Sequence, residues 1–172
     1  MNSLTIRQAH IHDLLDVQAI GRQTFAETFA EGNTEENLAR YLAEGFSTEK
    51  LERELLNPES PYYFALLDSE IVGYLKMNMG AAQSEPQDLM AVEIERIYVR
   101  TIWHGKSVGQ KLFDHAYSIA LARNAPYLWL GVWEKNLRAI RFYQKQGFVA
   151  FDQHIFQLGD DAQTDVLMKL IR

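Results

Sequence analysis

The chain of 172 residues is 47% hydrophobic and 23% charged, the proportions of an ordinary folded protein and not of a disordered or fibrous one. A formal net charge of −6 argues against a nucleic-acid surface, which needs clustered Lys and Arg, and it permits a cationic small-molecule partner. Having no cysteine, the chain forms no disulfide, thiolate metal site or cysteine nucleophile.

Length favours one domain over residues 1–172, and no repeat, low-complexity tract or Pro/Gly/Ser-rich linker divides it. No apolar run reaches the length of a membrane span, and the N-terminal stretch lacks the basic-then-apolar order of a signal peptide. The expected location is cytoplasmic, without membrane contact.

Residues 4 to 8 read as a short first strand. Leu14, Val17, Ile20, Phe25 and Phe29 then recur at helical spacing, with Gly21 as the one weak point. Asn33 or Thr34 caps a second helix, and Ser47-Thr48 open a third that stops before Pro58. The pattern changes at "YYFALL" and "IVGYLKMNM", which read as an antiparallel hairpin turning at Asp68-Ser69-Glu70. Residues 80 to 88, with Pro86, form a loop. A strand at 92–99, a helix at about 108–123, a strand at 127–133, a helix at about 136–146 and the strands "FVAFD" and "TDVLMKLI" complete the chain. Strand, helix and strand in that order make a right-handed parallel crossover, so the fold class is α/β with a mixed, mostly antiparallel sheet around a central parallel βαβ pair.

In strand 92–99 the apolar positions are even at Val92 and Ile94 and odd at Ile97 and Val99. Either a bulge near Glu95-Arg96 shifts the alternation, or the strand is buried on both faces and has none. "GKS" at 105–107 suggests a nucleotide-triphosphate loop, but the glycine that motif needs is Arg100, and the pattern fails. What remains is a turn, Gly105 to Gly109, entering a helix whose stripe is Val108, Leu112, Ala116 and Ile119. Such a helix start either holds an anion on free N–H groups or simply turns the chain. In "NLRAIRFYQKQGF", Asn136 caps a helix or bonds a ligand, Tyr143 is a core aromatic or an acid, and Gly147 ends the helix.

The pair H-G-K-S-V-G-Q-K-L and N-L-R-A-I-R-F-Y-Q-K-Q-G-F resembles the acetyl-CoA signature of GNAT-superfamily N-acetyltransferases, over residues 4 to 170. Within that superfamily the chain is similar to the PaiA-type spermidine/spermine acetyltransferases through "TFAETFAEGNTEENLARYL", "AQSE", "EIERIYV", "WLGVWEKN" and "GDDAQTD". The resemblance implies a GNAT-like sheet splayed at the bulge, acetyl-CoA as co-substrate, and a primary amine, most often a polyamine, as acceptor. It implies that His104, Gly105, Lys106, Ser107, Val108, Gly109 and Gln110 wrap the pyrophosphate, and that Asn136 and Tyr143 approach the pantetheine and thioester. Two positions depart from the family's Gln/Arg-x-x-Gly-x-Gly/Ala: His104 stands at the Gln/Arg and Ser107 at the first glycine, which a serine fills comfortably with a negative φ.

On this reading pantetheine adds like a strand to the backbone of Ile97 and Val99, with Tyr98 between them also at the cofactor. A protonated amine cannot attack a thioester, so a base is required; Glu95 is the favoured residue, Glu93 its rival, and a carboxylate facing a cation or solvent is the other reading of both. Tyr143 would protonate the departing thiolate. Transfer would be direct, since cysteine is absent and no Ser-His-Asp set is visible. Asp160 and Asp161 contact a distal ammonium or form a surface turn, and Lys145 meets a CoA phosphate or is solvated. Residues 27 to 59 hold nine Glu, which either attract a polycation or face solvent on two helices. The five His lack metal spacing, and no metal is expected. "YLWLGVW" and the sheet ends offer a homodimer edge, although buried strands look the same. Two further readings are transfer to another small amine or to a protein lysine or N-terminus, and a non-catalytic acetyl-CoA-binding regulator.

Overall fold

The computed structural model describes residues 3–85 and 87–171, so Pro86 of the predicted loop lies outside the described residues. The helical stripe beginning at Leu14 forms α1 (Leu14–Phe29), which runs unbroken through Gly21. The reason is packing, because a β-carbon at Gly21 would lie 2.4 Å from Cε1 of the fully buried Phe46. Thr34 caps α2 (Glu35–Gly45), its side chain accepting from the Asn37 N–H at 3.1 Å, and Ser47 caps α3 (Thr48–Leu56) by the same device at Lys50.

The strands are β1 (Leu4–Ala9), β2 (Tyr62–Leu67), β3 (Glu70–Met79), β4 (Val92–Val99), β5 (Tyr127–Trp133), β6 (Val149–Leu158) and β7 (Asp161–Ile171). They form one sheet in the order β1-β2-β3-β4-β5-β7-β6, antiparallel except where β4 meets β5. The expected mixed sheet with a central parallel pair is therefore present. Strands β6 and β7 reach well past the expected "FVAFD" and "TDVLMKLI", meeting at a turn with Gly159 at φ +65°. Between β4 and β5 runs α4 (Val108–Ala122), and α5 (Leu137–Gln146) follows β5, capped by Asn136.

Two apolar layers cover the sheet. Helices α4 and α5 bury Val108, Leu112, Phe113, Ala116 and Tyr143 against one face, with Val92, Ile94 and Leu130. Helices α1 to α3 bury Phe25, Phe29, Phe46 and Leu51 against the other, with Tyr74 and Leu158. Any site that passes between β4 and β5 thus joins the two layers.

Candidate active site

The alternation slip in β4 is a bulge. Arg96 pairs with Lys76 and Ile94 with Met77, so Glu95 is the extra residue with no partner on β3. Adding one residue brings Glu93, Glu95, Arg96 and Tyr98 to the α1–α3 face, while Ile97 and Val99 turn to the α4–α5 face. Immediately past the bulge β4 leaves β5: their parallel pairing covers only Val92–Ile94 against Leu128–Leu130.

The parting exposes backbone. Arg100 N–H donates to Val72 O at 2.9 Å on β3, and in an antiparallel ladder alternate residues face the same way, so Tyr98 also bonds β3. The groups of Ile97 and Val99 therefore face the split, where the Val99 carbonyl accepts from His104 Nε2 at 2.8 Å. Tyr98, also expected at the cofactor, lines the cavity while its backbone bonds β3.

A cavity of about 1050 Å³ fills the split and opens to both layers. On its α4–α5 side lie His104, Gly105, Ser107, Val108, Gly109 and Gln110, followed by Asn136, Tyr143 and Lys145. Lys106, in the same turn, is exposed and is not among the lining residues. The first N–H groups of α4 have no intrahelical partner, and a β-carbon at Gly105 would meet nothing within 4 Å, so the turn has both donors and room for a phosphate group. His104, Lys135, Arg138, Arg141 and Lys145 surround this end with cationic or ionisable groups. Arg138 Nη1 donates to His104 Nδ1 at 2.7 Å, which leaves the ring proton on Nε2 toward the Val99 carbonyl. Gln110 spends its side chain on Asp114 and Gln146, tying α4 to α5.

Ser107 does not adopt the negative φ expected of a serine. Its φ is +65°, in the left-handed region that the family's glycine suits. Asn136 Oδ1 accepts from the Ala139 N–H at 3.2 Å, so it caps α5 while also lining the cavity. Tyr143 is 7% exposed, and burial raises its phenol well above its ordinary value, keeping it protonated.

On the α1–α3 side the walls are Phe25, Phe29, Tyr41, Trp129, Trp133 and Phe156. Glu95 is ion-paired with Lys76 and accepts from Asn78 Nδ2 at 3.0 Å. Burial pushes its carboxyl up, but Lys76, Arg96 and these hydrogen bonds outweigh it and bring it down to about 2. The ion pair with Lys76 favours the charged carboxylate and so disfavours proton uptake by Glu95, the residue expected as the base. Glu93 is 2% exposed; its carboxylate accepts from the Ser84 N–H at 2.8 Å, the Ser84 hydroxyl and Asn78 at 2.9 Å. Burial nonetheless raises it above the usual carboxylate range.

Asp160 lies in the β6–β7 turn and Asp161 opens β7, neither among the lining residues; Asp160 accepts from Asn37 Nδ2 at 2.6 Å and Asp161 from Gln163 Nε2 at 3.0 Å. The carboxylate that β7 sends into the cavity is Asp165. Lys76, Asn78, Ser84, Arg96, Arg138 and Asp165 were all missed from the sequence. For Lys76 and Asn78 a signal existed, since they are polar residues at alternate positions of an otherwise apolar strand. Arg96 is 6% exposed, lies 4.6 Å from the Phe46 ring centre, and has one hydrogen bond among the described residues, 3.4 Å to Tyr62 Oη. No group of metal-ligating side chains occurs among the described residues, nor any helix long and apolar enough to cross a membrane.

The profile of the acetyltransferase (GNAT) family matches residues 23–148. Along 169 residues the chain is 41% identical to an uncharacterized N-acetyltransferase of Lactobacillus delbrueckii subsp. lactis from the pepI 3′ region, covering 98% of each. It is 26% identical over 154 residues to the spermidine N(1)-acetyltransferase of Thermoplasma acidophilum, covering 87% of this chain and 91% of that one. The crystal structure of PaiA N-acetyltransferase from Thermoplasma acidophilum in complex with coenzyme A superposes with a TM-score of 0.81 at 24% identity, over 99% of both chains, and shares the fold. A split parallel pair, a glycine turn at a helix start and a profile match across most of the chain agree, and the chain belongs to the GNAT family of N-acetyltransferases.

Proposed function

We propose that this protein transfers the acetyl group of acetyl-CoA directly to a primary amine, and that the preferred amine is a polyamine such as spermidine or spermine. The observation that carries the reading is the split past the β4 bulge, where the backbone of Ile97 and Val99 faces a cavity beside the donor-rich start of α4. Bound acetyl-CoA supplies the activated acyl group. The chain's own residues hold it: the Ile97 and Val99 backbone along the pantetheine, the turn from Gly105 to Gln110 at the pyrophosphate, and Arg138 and Lys145 at the outer phosphate.

Support for a polyamine comes from the other half of the cavity. Glu93, Glu95 and Asp165 lie among Phe29, Trp129, Trp133 and Phe156, so ammonium groups meet carboxylates while methylene chains meet rings. Glu95 fits a substrate-contact role better than proton transfer, given its pairing with Lys76. The similarity to a protein named spermidine N(1)-acetyltransferase points the same way. Tyr143, protonated and lining the cavity, donates a hydrogen bond to the departing sulfur. A phenol raised by burial is a weaker acid than a thiol of pKa about 8.5, so stabilising the thiolate, more than full proton transfer, is its contribution.

Mass spectrometry of a single turnover tests direct transfer. Acetyl should appear on the amine with none on the protein; an acetylated protein that discharges to the amine would contradict it.

A further inference from the structure

Five carboxylates line the cavity, and four of them are already accounted for. Glu27 Oε1 accepts from the Thr101 N–H at 3.1 Å, and Glu31 is exposed. Glu93 is held by Ser84 and Asn78, and Glu95 by Lys76 and Asn78. Asp165 differs: among the described residues it has no hydrogen bond and no ion pair, although it is only partly exposed.

Its position is informative. Gly131 is the first residue of β5 beyond the last parallel pair with β4, and a β-carbon there would lie 3.5 Å from Asp165 Oδ2. The carboxylate therefore overhangs the β5 backbone where the two strands part, in the cavity that Tyr143 lines from the other layer. His154 is the direct cross-strand neighbour of Asp165 and also lines the cavity. Its Nδ1 lies 3.4 Å from Glu85 Oε1, with side chains 35% and 30% exposed, and no hydrogen bond or ion pair among the described residues joins it to Asp165.

Resting on the acetyl-transfer reading, we propose that Asp165 accepts the proton of the attacking amine and, being partly exposed, releases it to solvent. The charged groups around it are Glu93, Glu95 and Arg96 from β4, His154 from β6 and Glu85 from the loop that leads into β4. Burial raises the Asp165 carboxyl above its ordinary value, with His154 acting the other way, so it is a stronger base than the paired Glu95. The protons balance. An alkylammonium loses two protons as its nitrogen forms the amide bond and the carbon–sulfur bond breaks; the thiolate, hydrogen-bonded by Tyr143 as it departs, takes up one from solvent to leave as free CoA, and the two released by the nitrogen pass to solvent, the first through Asp165.

The test is the pH dependence of kcat for Asp165→Asn against the wild type with spermidine and a panel of other primary amines. At pH 7 the variant should lose roughly 10²-fold in kcat, the lower range for removing a general base, with the KM for acetyl-CoA unchanged. The deficit should shrink toward pH ~10, where an alkylamine sheds its proton in water. Asp165→Glu keeps a carboxylate, and should lower kcat while retaining the acidic limb of the wild-type profile; it carries the test if the Asn variant does not fold. An undiminished kcat in Asp165→Asn, a deficit constant across pH, or loss of the acidic limb in Asp165→Glu would overturn the assignment. A wild type that acetylates the amines alongside such a result leaves the acetyl-transfer reading standing, whereas a wild type that acetylates none removes both.

Discussion

Lys76 and Glu95 meet across the bulge in β4, their ammonium and carboxylate ion-paired, while Glu54 Oε2 reaches the same Nζ at 2.5 Å. Lys76 is buried to 4% side-chain exposure, and both carboxylates depend on it for their charge balance. The bulge that opens the cavity is thus anchored by an ion cluster linking α3, β3 and β4.

Removing one partner of such a cluster strands the others. Lys76→Met should cost about 3–5 kcal/mol in urea unfolding at pH 7. Glu95 adds a pH signature: its folded value, about 2, lies below the ordinary 4.5, so its stabilisation is present above pH 4.5 and is lost as pH falls from there toward 2. For a side chain 25% exposed this is on the order of 3 kcal/mol, and the acid-labile component should shrink in Lys76→Met, where Arg96 and Asn78 remain. A wild-type stability flat across that window would contradict the pairing.

Ser107 holds a left-handed φ of +65° without a glycine's freedom. Ser107→Gly should raise stability by about 0.5–1 kcal/mol, the left-handed cost less the entropy of a more flexible unfolded chain. Thermal unfolding measures it, and a destabilised variant would show that the serine is worth more than its strain.

Gly21→Ala would gain about 1 kcal/mol of helix propensity in a bare helix. Here the added methyl would sit 2.4 Å from a ring atom of Phe46, which is fully buried, so the net effect should be a loss of about 1–3 kcal/mol by denaturant titration.

Tyr143→Phe removes one hydrogen bond to the departing sulfur and little packing. The kcat should fall roughly 10- to 100-fold, as for a hydrogen bond to a charged group, while CoA affinity by calorimetry should be nearly unchanged. An unchanged kcat would remove the role.

How far the sequence carried these conclusions depended on whether the signal was local. The slip from Val92 and Ile94 to Ile97 and Val99 marked where a bulge would fall, because alternation is written residue by residue, but only the pairing with β3 decided between a bulge and a strand buried on both faces. Thr34, Ser47 and Asn136 announced their helices for the same reason. The fate of each carboxylate was not legible, since it depends on partners in other elements: Lys76 for Glu95, Ser84 for Glu93, Asn37 for Asp160. Asp165 reaches the cavity only because β7 runs beside β5 in the register that sets it opposite Trp133. Nothing near Asp165 in the chain encodes that register.

The most direct measurement is release of CoA thiol from acetyl-CoA by the purified protein, with spermidine, spermine, diamines, monoamines and a lysine-containing peptide offered in parallel. Polyamine-dependent release far above the monoamine rate is the expected result. Tight CoA binding with no release from any amine would contradict it and leave a protein that binds the donor without transferring its acetyl group.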